Sequence, residues 1–163
     1  MHYLVDGYSL IHAWPPLRQA MGKRLAHARD LLAKELQQYQ DQSEDQVSVF
    51  FDGRSGTRPR GQGSGIRGKN KKRRESKKAL EIVFSSEDQS ADTLIEQRIG
   101  ASRSPSQFVA VTGDFGIQNT VHALGASSIS PDMFLEIIRM ARKEFAEWLD
   151  EHHFRTKRKF NRG

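Results

Sequence analysis

Three apolar runs in this chain each lead into an aspartate that precedes a glycine or a Phe-Gly pair. The runs span residues 3–7, 47–53 and 108–116, and their aspartates are Asp6, Asp52 and Asp114. Short runs of β-branched and aromatic residues bounded by glycine are typical of buried strands. The carboxyl ends of parallel strands share one edge of a sheet, and ligands of open α/β sheets bind at that edge. The pattern therefore predicts three carboxylates at a common edge.

Carboxylates that share an edge repel one another unless a positive charge lies among them. A divalent cation with an all-oxygen shell, Mg²⁺ or Mn²⁺, is the usual solution. Asp92 adds a fourth carboxylate early in a predicted helix, and Glu96 lies on the same helical face. Metal-dependent phosphodiester cleavage requires a set of this kind. The alternative for each aspartate taken singly is a turn residue or a helix cap, since Asp-Gly after a strand is ordinary turn chemistry.

The hydrophobic pattern predicts strands that alternate with helices. The predicted strands are 2–6, 47–51, 80–84, 107–112 and, at the sheet edge, 126–129. The predicted helices are 24–40, 90–99, a short one after Asp114 that Gly125 closes, and 131 to about 151, while 7–23 is predicted as a loop. This order indicates an α/β fold with a mainly parallel sheet of four to five strands flanked by helices. Met133, Phe134 and Trp148 are predicted to lie in the core.

Composition favours one soluble domain. The chain has 163 residues, enough for a single domain with a substantial core. No apolar run approaches the ~20 residues of a membrane span, so no membrane partner is expected. The first residues carry no basic region, so no signal peptide is expected either. The absence of cysteine excludes disulfides and thiolate chemistry and fits a cytoplasmic location. The sequence leaves the oligomeric state open.

Positive charge is concentrated in two segments. The net charge is +6, yet residues 54–78 hold eleven Lys/Arg and one acid, and residues 152–163 hold five Lys/Arg and no acid. The rest of the chain is therefore acidic. A single domain is predicted to span 1–151 and to include a flexible basic loop at 53–78, and residues 152–163 are predicted to be a disordered tail beyond it. Basic side chains of this loop are predicted to hold RNA phosphates without reading bases; a solvated linker is the alternative. They are Arg54, Arg58, Arg60, Arg67, Lys69, Lys71, Lys72, Arg73, Arg74, Lys77 and Lys78.

Several short motifs, in this order, resemble the NYN domain family, in particular its YacP-like branch, which is similar to PIN domains. The motifs are residues 4–11 with 13–15, then 49–53, 83–85, 90–96 and 111–114. The resemblance implies a Rossmann-like, PIN-like three-layer fold and metal-dependent ribonuclease activity. It also implies that Asp6, Asp92 and Asp114 bind Mg²⁺ or Mn²⁺, with Asp52 a further catalytic acid.

One position departs from the family pattern. The family usually has asparagine where Ser9 stands, so a contact from Ser9 to RNA or metal is expected to be weaker or mediated by water. The predicted function is a metal-dependent endoribonuclease in turnover of mRNA or ribosome-associated RNA. The alternative is a non-catalytic RNA- or ribosome-binding protein that retains the nuclease fold.

Overall fold

A five-stranded sheet, parallel throughout, forms the centre of the fold. The strands are β1 (His2–Asp6), β2 (Gln46–Phe51), β3 (Glu81–Phe84), β4 (Phe108–Val111) and β5 (Ser127–Ile129). They lie in the order β3-β2-β1-β4-β5, and every neighbouring pair is parallel. The predicted fold class and the predicted edge strand are thus confirmed. The computed structural model describes the backbone of residues 1–53 and 79–160, and side chains as far as residue 152.

Helices cover both faces of the sheet. They are α1 (Gly7–Ala13), α2 (Pro15–Lys23), α3 (Leu25–Gln42), α4 (Ala91–Gly100), α5 (Phe115–Ala123) and α6 (Pro131–Phe160), with a 3₁₀ turn at Pro105–Gln107. Side chains alternate along each strand. In β1, Tyr3 and Val5 pack in a cluster with α1, α2, α3 and α6, whereas Leu4 packs in a second cluster with α4 and α5. The result is a three-layer arrangement in which the middle layer is buried on both sides.

The predicted loop at 7–23 is wrong, because the structure has α1 and α2 there. Asp6 caps α1 with its side chain, and Leu10 within this helix is fully buried. Pro15 and Pro16 occupy the first two positions of α2, where a missing backbone N–H costs nothing. The prolines that suggested a loop therefore begin a helix.

The last helix is longer than the sequence predicts. Helix α6 continues to Phe160, whereas the pattern predicts an end near 151 and a tail without regular structure from 152. No glycine or proline interrupts residues 132–160, and basic residues are favourable near a helix carboxyl end. Phe134 is buried as predicted, but Met133 and Trp148 are 56% and 51% exposed, so their predicted core positions are wrong.

Two further points concern the limits of the described chain. The predicted loop at 53–78 lies outside the described residues from position 54 onward, as do residues 161–163. Within residues 1–53 and 79–160, no helix has the length and apolarity needed to cross a bilayer.

The order in which the chain adds strands to the sheet reverses between β1 and β4. From β1 the chain adds β2 and then β3 on one side, and then crosses to add β4 and β5 on the other. The crevice at the carboxyl ends of the two strands that flank such a switch point is where open α/β sheets bind ligands. In this protein the residues at those two ends are Asp6 and, three residues beyond β4, Asp114.

Candidate active site

The carboxylate of Asp6 lies at the carboxyl end of the central strand β1. Its Oδ1 accepts hydrogen bonds from the backbone N–H of Tyr8 at 3.2 Å and of Ser9 at 3.3 Å. Its Oδ2 accepts a 2.6 Å hydrogen bond from the Ser9 hydroxyl. The side chain thus caps α1 and is held from two sides. The structure brings Ser9 to Asp6, where the hydroxyl orients the carboxylate.

Asp114 holds the equivalent place before α5. Its Oδ1 accepts hydrogen bonds from the N–H of Gly116 at 2.7 Å and of Ile117 at 3.2 Å. Its own N–H donates to the hydroxyl of Thr112, a fully buried residue, at 3.1 Å. The turn from β4 into α5 is therefore fixed at both ends, and so is the carboxylate. The sequence analysis did not single out Thr112.

Asp52 connects β2 to the helix that carries the fourth acid. Its Oδ1 accepts a 2.7 Å hydrogen bond from the N–H of Ala91, the first residue of α4. The next residue, Gly53, donates its N–H to the Ser85 hydroxyl at 2.9 Å. Asp52 therefore holds the amino end of α4 against the sheet edge and sets where Asp92 lies.

Asp92 is the one carboxylate of the set with a bare buried oxygen. Its Oδ1 is buried and has no hydrogen-bond partner. Burial and neighbouring negative charge together raise the pKa of Asp92 to about 6, with burial the larger cause. The carboxylates responsible, in decreasing order of effect, are Asp6, Asp114, Asp52 and Glu96. The structure therefore brings all four predicted acids within electrostatic reach of one point, and Glu96 joins them from the next turn of α4.

These side chains do not form a closed set of direct metal ligands. Among the described residues, no group of three or more His, Cys, Asp or Glu is arranged to hold a metal ion. Asp6 and Asp114 each turn an oxygen towards the helix they cap. Mg²⁺ is usually held by one or two carboxylates, with waters and substrate phosphate filling the other positions. A site with one bare buried oxygen, on Asp92, and two fixed carboxylates nearby fits such a hydrated cation.

Two other predicted features have different outcomes. The eleven basic RNA-binding residues from Arg54 to Lys78 lie outside the described residues. His12, the histidine that follows Asp6 in the chain, is exposed on the last turn of α1. An aromatic residue that the sequence analysis missed also lies at this edge: Phe115, directly after Asp114, is 80% exposed. Its position in the sequence, between Asp114 and Gly116, is the signal that could have indicated a place at the site.

A family comparison agrees with the geometry. The model of the YacP-like NYN domain matches residues 3–162, almost the entire chain. The chain belongs to the YacP-like NYN domain family. This family is of nuclease type and suggests an interaction with RNA.

Relatives of this NYN domain come from Bacillus subtilis. The chain is 30% identical over 124 residues to an uncharacterized protein named YacP, and the match covers 76% of this chain and 66% of YacP. Its fold is similar to the crystal structure of Rae1 (YacP), with a TM-score of 0.71 and 24% identity over 100% of this chain and 95% of that one. A crystal structure of a Rae1 mutant gives a TM-score of 0.71 and 23% identity, covering 94% and 83%. The two crystal structures show the fold, and the family model over residues 3–162 confirms the predicted family.

Proposed function

We propose that this protein is a Mg²⁺- or Mn²⁺-dependent endoribonuclease whose active site is the acidic edge around Asp92. The observation that carries the proposal is the buried, unpartnered Oδ1 of Asp92 in a ring of further carboxylates. A purely structural aspartate at such a place is costly, because a buried carboxylate needs a hydrogen bond or a positive charge. A divalent cation supplies that positive charge and stabilises the neighbouring carboxylates in their ionised form.

Each acid has a distinct part in this proposal. Asp92 offers the bare oxygen, while Asp6 and Asp114 are held rigidly by the amino ends of α1 and α5. Asp52 positions α4 through Ala91. When bound, a divalent cation lowers the pKa of a water molecule and neutralises charge on a phosphate. Rigid placement of the carboxylates is what lets such a site act without reorganising during the reaction.

RNA as the substrate is supported by the sequence around this edge and by the family. The segment 54–78 follows Gly53 directly and carries ten more positive than negative charges. Such a segment neutralises phosphates and gives affinity that falls steeply with salt. The acidic edge repels a polyanion by itself, and a cation at the site together with the basic residues of segment 54–78 would offset that repulsion.

The first test is cleavage of labelled single-stranded and structured RNA in Mn²⁺ by the wild type, Asp6→Asn and Asp114→Asn. Asparagine caps helices as well as aspartate does, so both variants are expected to fold. Each loses a carboxylate charge, and we expect cleavage to fall on the order of 1,000-fold, since metal-site charge contributes several kcal/mol. Asp132→Asn, a change in the first turn of α6, is the matched control and is expected to cleave normally.

This comparison also tests the rival function. Equal metal-dependent cleavage by the wild type and both variants would show that the nuclease activity lies elsewhere. A wild type that binds RNA but cleaves none, including mRNA on ribosomes, would favour the non-catalytic RNA- or ribosome-binding alternative.

A second prediction concerns Ser9, whose hydroxyl orients Asp6. Outer hydrogen bonds of this kind fix ligand geometry, and their loss typically costs 10- to 100-fold in metal affinity or activity. Ser9→Ala is therefore expected to weaken Mn²⁺ binding about 10-fold, measured by titration calorimetry on the full chain. Ser127→Ala, on the exposed part of β5, should bind Mn²⁺ as the wild type does. Unchanged affinity in Ser9→Ala would show that the hydroxyl does not help to set the site.

A further inference from the structure

The side chain of Phe115 contributes little to the stability of the fold. It is 80% exposed, although burial of a phenylalanine side chain is among the larger contributions that one residue makes to folding. It is the most exposed large hydrophobic side chain among the described residues. An exposed aromatic residue that folding does not require is a candidate for recognition.

The core-facing side of α5 lies elsewhere on the helix. Val121 is fully buried, and Ile117 and Leu124 pack against the same cluster as Val121. These three residues follow the i, i+4, i+7 spacing of one helical face. Phe115 is two residues before Ile117, about 200° around the helix, so it projects away from the core.

The backbone that carries Phe115 is held in place. Residues on both sides of it are tied by the hydrogen bonds from Gly116 and Ile117 to Asp114 and from Asp114 to Thr112. Its Cα therefore has a fixed position about 3.8 Å from the Cα of Asp114. The exposed ring is thus carried by a fixed stretch of backbone that adjoins Asp114 of the proposed active site.

We propose that Phe115 is a stacking platform for an unpaired base of single-stranded RNA, next to the phosphate that occupies the acidic edge. The inference rests on the proposed function for its choice of RNA as the ligand. An aromatic face accepts any base, because every base has a π-face. The neutral base also suits an edge whose net charge repels other anionic groups. A duplex has its bases already stacked and paired, so it has no free base to offer this ring.

The experiment measures binding and cleavage separately. Binding uses a single-stranded RNA oligonucleotide that contains the fluorescent base 2-aminopurine, whose emission falls on stacking, and a labelled RNA duplex for comparison. The proteins are the wild type, Phe115→Ala, Phe115→Leu and Phe115→Trp. Met133→Ala is the matched control, since Met133 is also exposed, lies in the first turn of α6, and has no aromatic ring. Cleavage of single-stranded RNA in Mn²⁺ is measured for the same set.

We expect Phe115→Ala and Phe115→Leu to bind single-stranded RNA about 10-fold more weakly, with less quenching of 2-aminopurine. Phe115→Trp should bind as well as the wild type, and Met133→Ala should be unchanged. All variants should bind the duplex equally. Because the ring is exposed, their thermal stabilities should match the wild type.

Three results would overturn the stacking role: equal affinity of Phe115→Ala and wild type, equal losses on single strand and duplex, or no RNA binding by the wild type. The last of these would also remove the proposed function. If stacking depends on Phe115 but the wild type cleaves no RNA, the stacking role is supported and the proposed nuclease function is contradicted. If the wild type cleaves RNA but Phe115→Ala does not change RNA binding, the nuclease function is supported and the stacking role is contradicted.

Discussion

Asp92→Asn is expected to make the metal-free protein more stable and to remove most of the proposed nuclease activity. At pH 7.5 the wild type holds an ionised Asp92 with a bare buried oxygen among other carboxylates. Asparagine has the same shape without the charge. The pKa of Asp92 rises from 3.8 to about 6, and each unit corresponds to about 1.4 kcal/mol. After a discount for solvent screening of a half-exposed group, we expect a gain of about 1–2 kcal/mol in the free energy of unfolding.

The pH dependence of this gain follows from the direction of the pKa shift. A carboxyl whose pKa is raised by folding stabilises the folded state below its unfolded pKa, and the contribution is lost as pH rises through the folded pKa. Wild-type stability in EDTA should therefore fall between about pH 4 and pH 7 relative to Asp92→Asn. The two proteins should converge below pH 4. Urea unfolding of both proteins at several pH values measures this difference directly.

The activity of Asp92→Asn should change in the opposite direction. Loss of the bare carboxylate oxygen is expected to lower Mn²⁺-dependent RNA cleavage on the order of 1,000-fold. Added Mn²⁺ should raise the unfolding temperature of the wild type but not of the variant. Asp88→Asn, a change at an exposed turn before α4, is the control and should alter neither property. An Asp92→Asn protein less stable than the wild type in EDTA at pH 7.5 would mean that Asp92 is a structural acid.

Gly7→Ala is expected to cause a large loss of stability, although glycine-to-alanine changes normally stabilise helices. A Cβ on Gly7 would lie 2.2 Å from Cε1 of the Phe51 ring. That ring is buried and is in contact with the rings of Tyr8 and Phe84, at centroid distances of 5.2 and 5.5 Å. Overpacking of this kind costs about 1–3 kcal/mol, which corresponds to a fall of roughly 2–12 °C in the unfolding temperature.

A matched glycine-to-alanine substitution in α2 is expected to raise the stability instead of lowering it. Gly22 lies in α2 with nothing within 4 Å of its hypothetical Cβ, so Gly22→Ala should stabilise by about 0.5–1 kcal/mol. Combining Gly7→Ala with Phe51→Leu should recover part of the loss by making room for the methyl group. Thermal unfolding of the four proteins measures both effects. A neutral Gly7→Ala would show that α1 moves freely relative to β2, and that Asp6 is not held as tightly as its hydrogen bonds indicate.

The strands and the acidic edge were predictable because both depend on local pattern. Runs of apolar residues mark the strands, and parallel strands necessarily share the edge at which Asp6, Asp52 and Asp114 lie. The role of the glycines was not predictable in the same way. After Asp6 and Asp52 the expected alternative was a turn, but Gly7 begins a helix, and among the described glycines only Gly125 has a positive φ, at 88°. Gly7 and Gly53 are instead required by close approach, to the Phe51 ring and to the Ser85 carbonyl oxygen.

The helices at 7–23 and the exposed aromatics show where local pattern fails. A run with two adjacent prolines resembles a loop, and only the capping contacts of Asp6 and the burial of Leu17 reveal two helices. Similarly, an apolar residue at helical spacing is expected in the core, but Trp148 lies beyond Ala141, the last residue of α6 that packs against the core cluster, and is half exposed. Phe115 is exposed because α5 packs on the core through the face that carries Ile117, Val121 and Leu124.

The most direct measurement of the central claim is the anomalous scattering of Mn²⁺ in crystals of the full chain soaked with the ion. A cation held by the acidic edge should give an anomalous peak roughly 2.0–2.2 Å from Oδ1 of Asp92, the spacing of a hard divalent cation and a carboxylate oxygen. The same soak of Asp92→Asn should show no peak there. A wild-type protein that cleaves RNA in Mn²⁺ but has its peak away from Asp92, or a peak that persists in Asp92→Asn, would contradict the assignment of this edge as the metal-dependent active site.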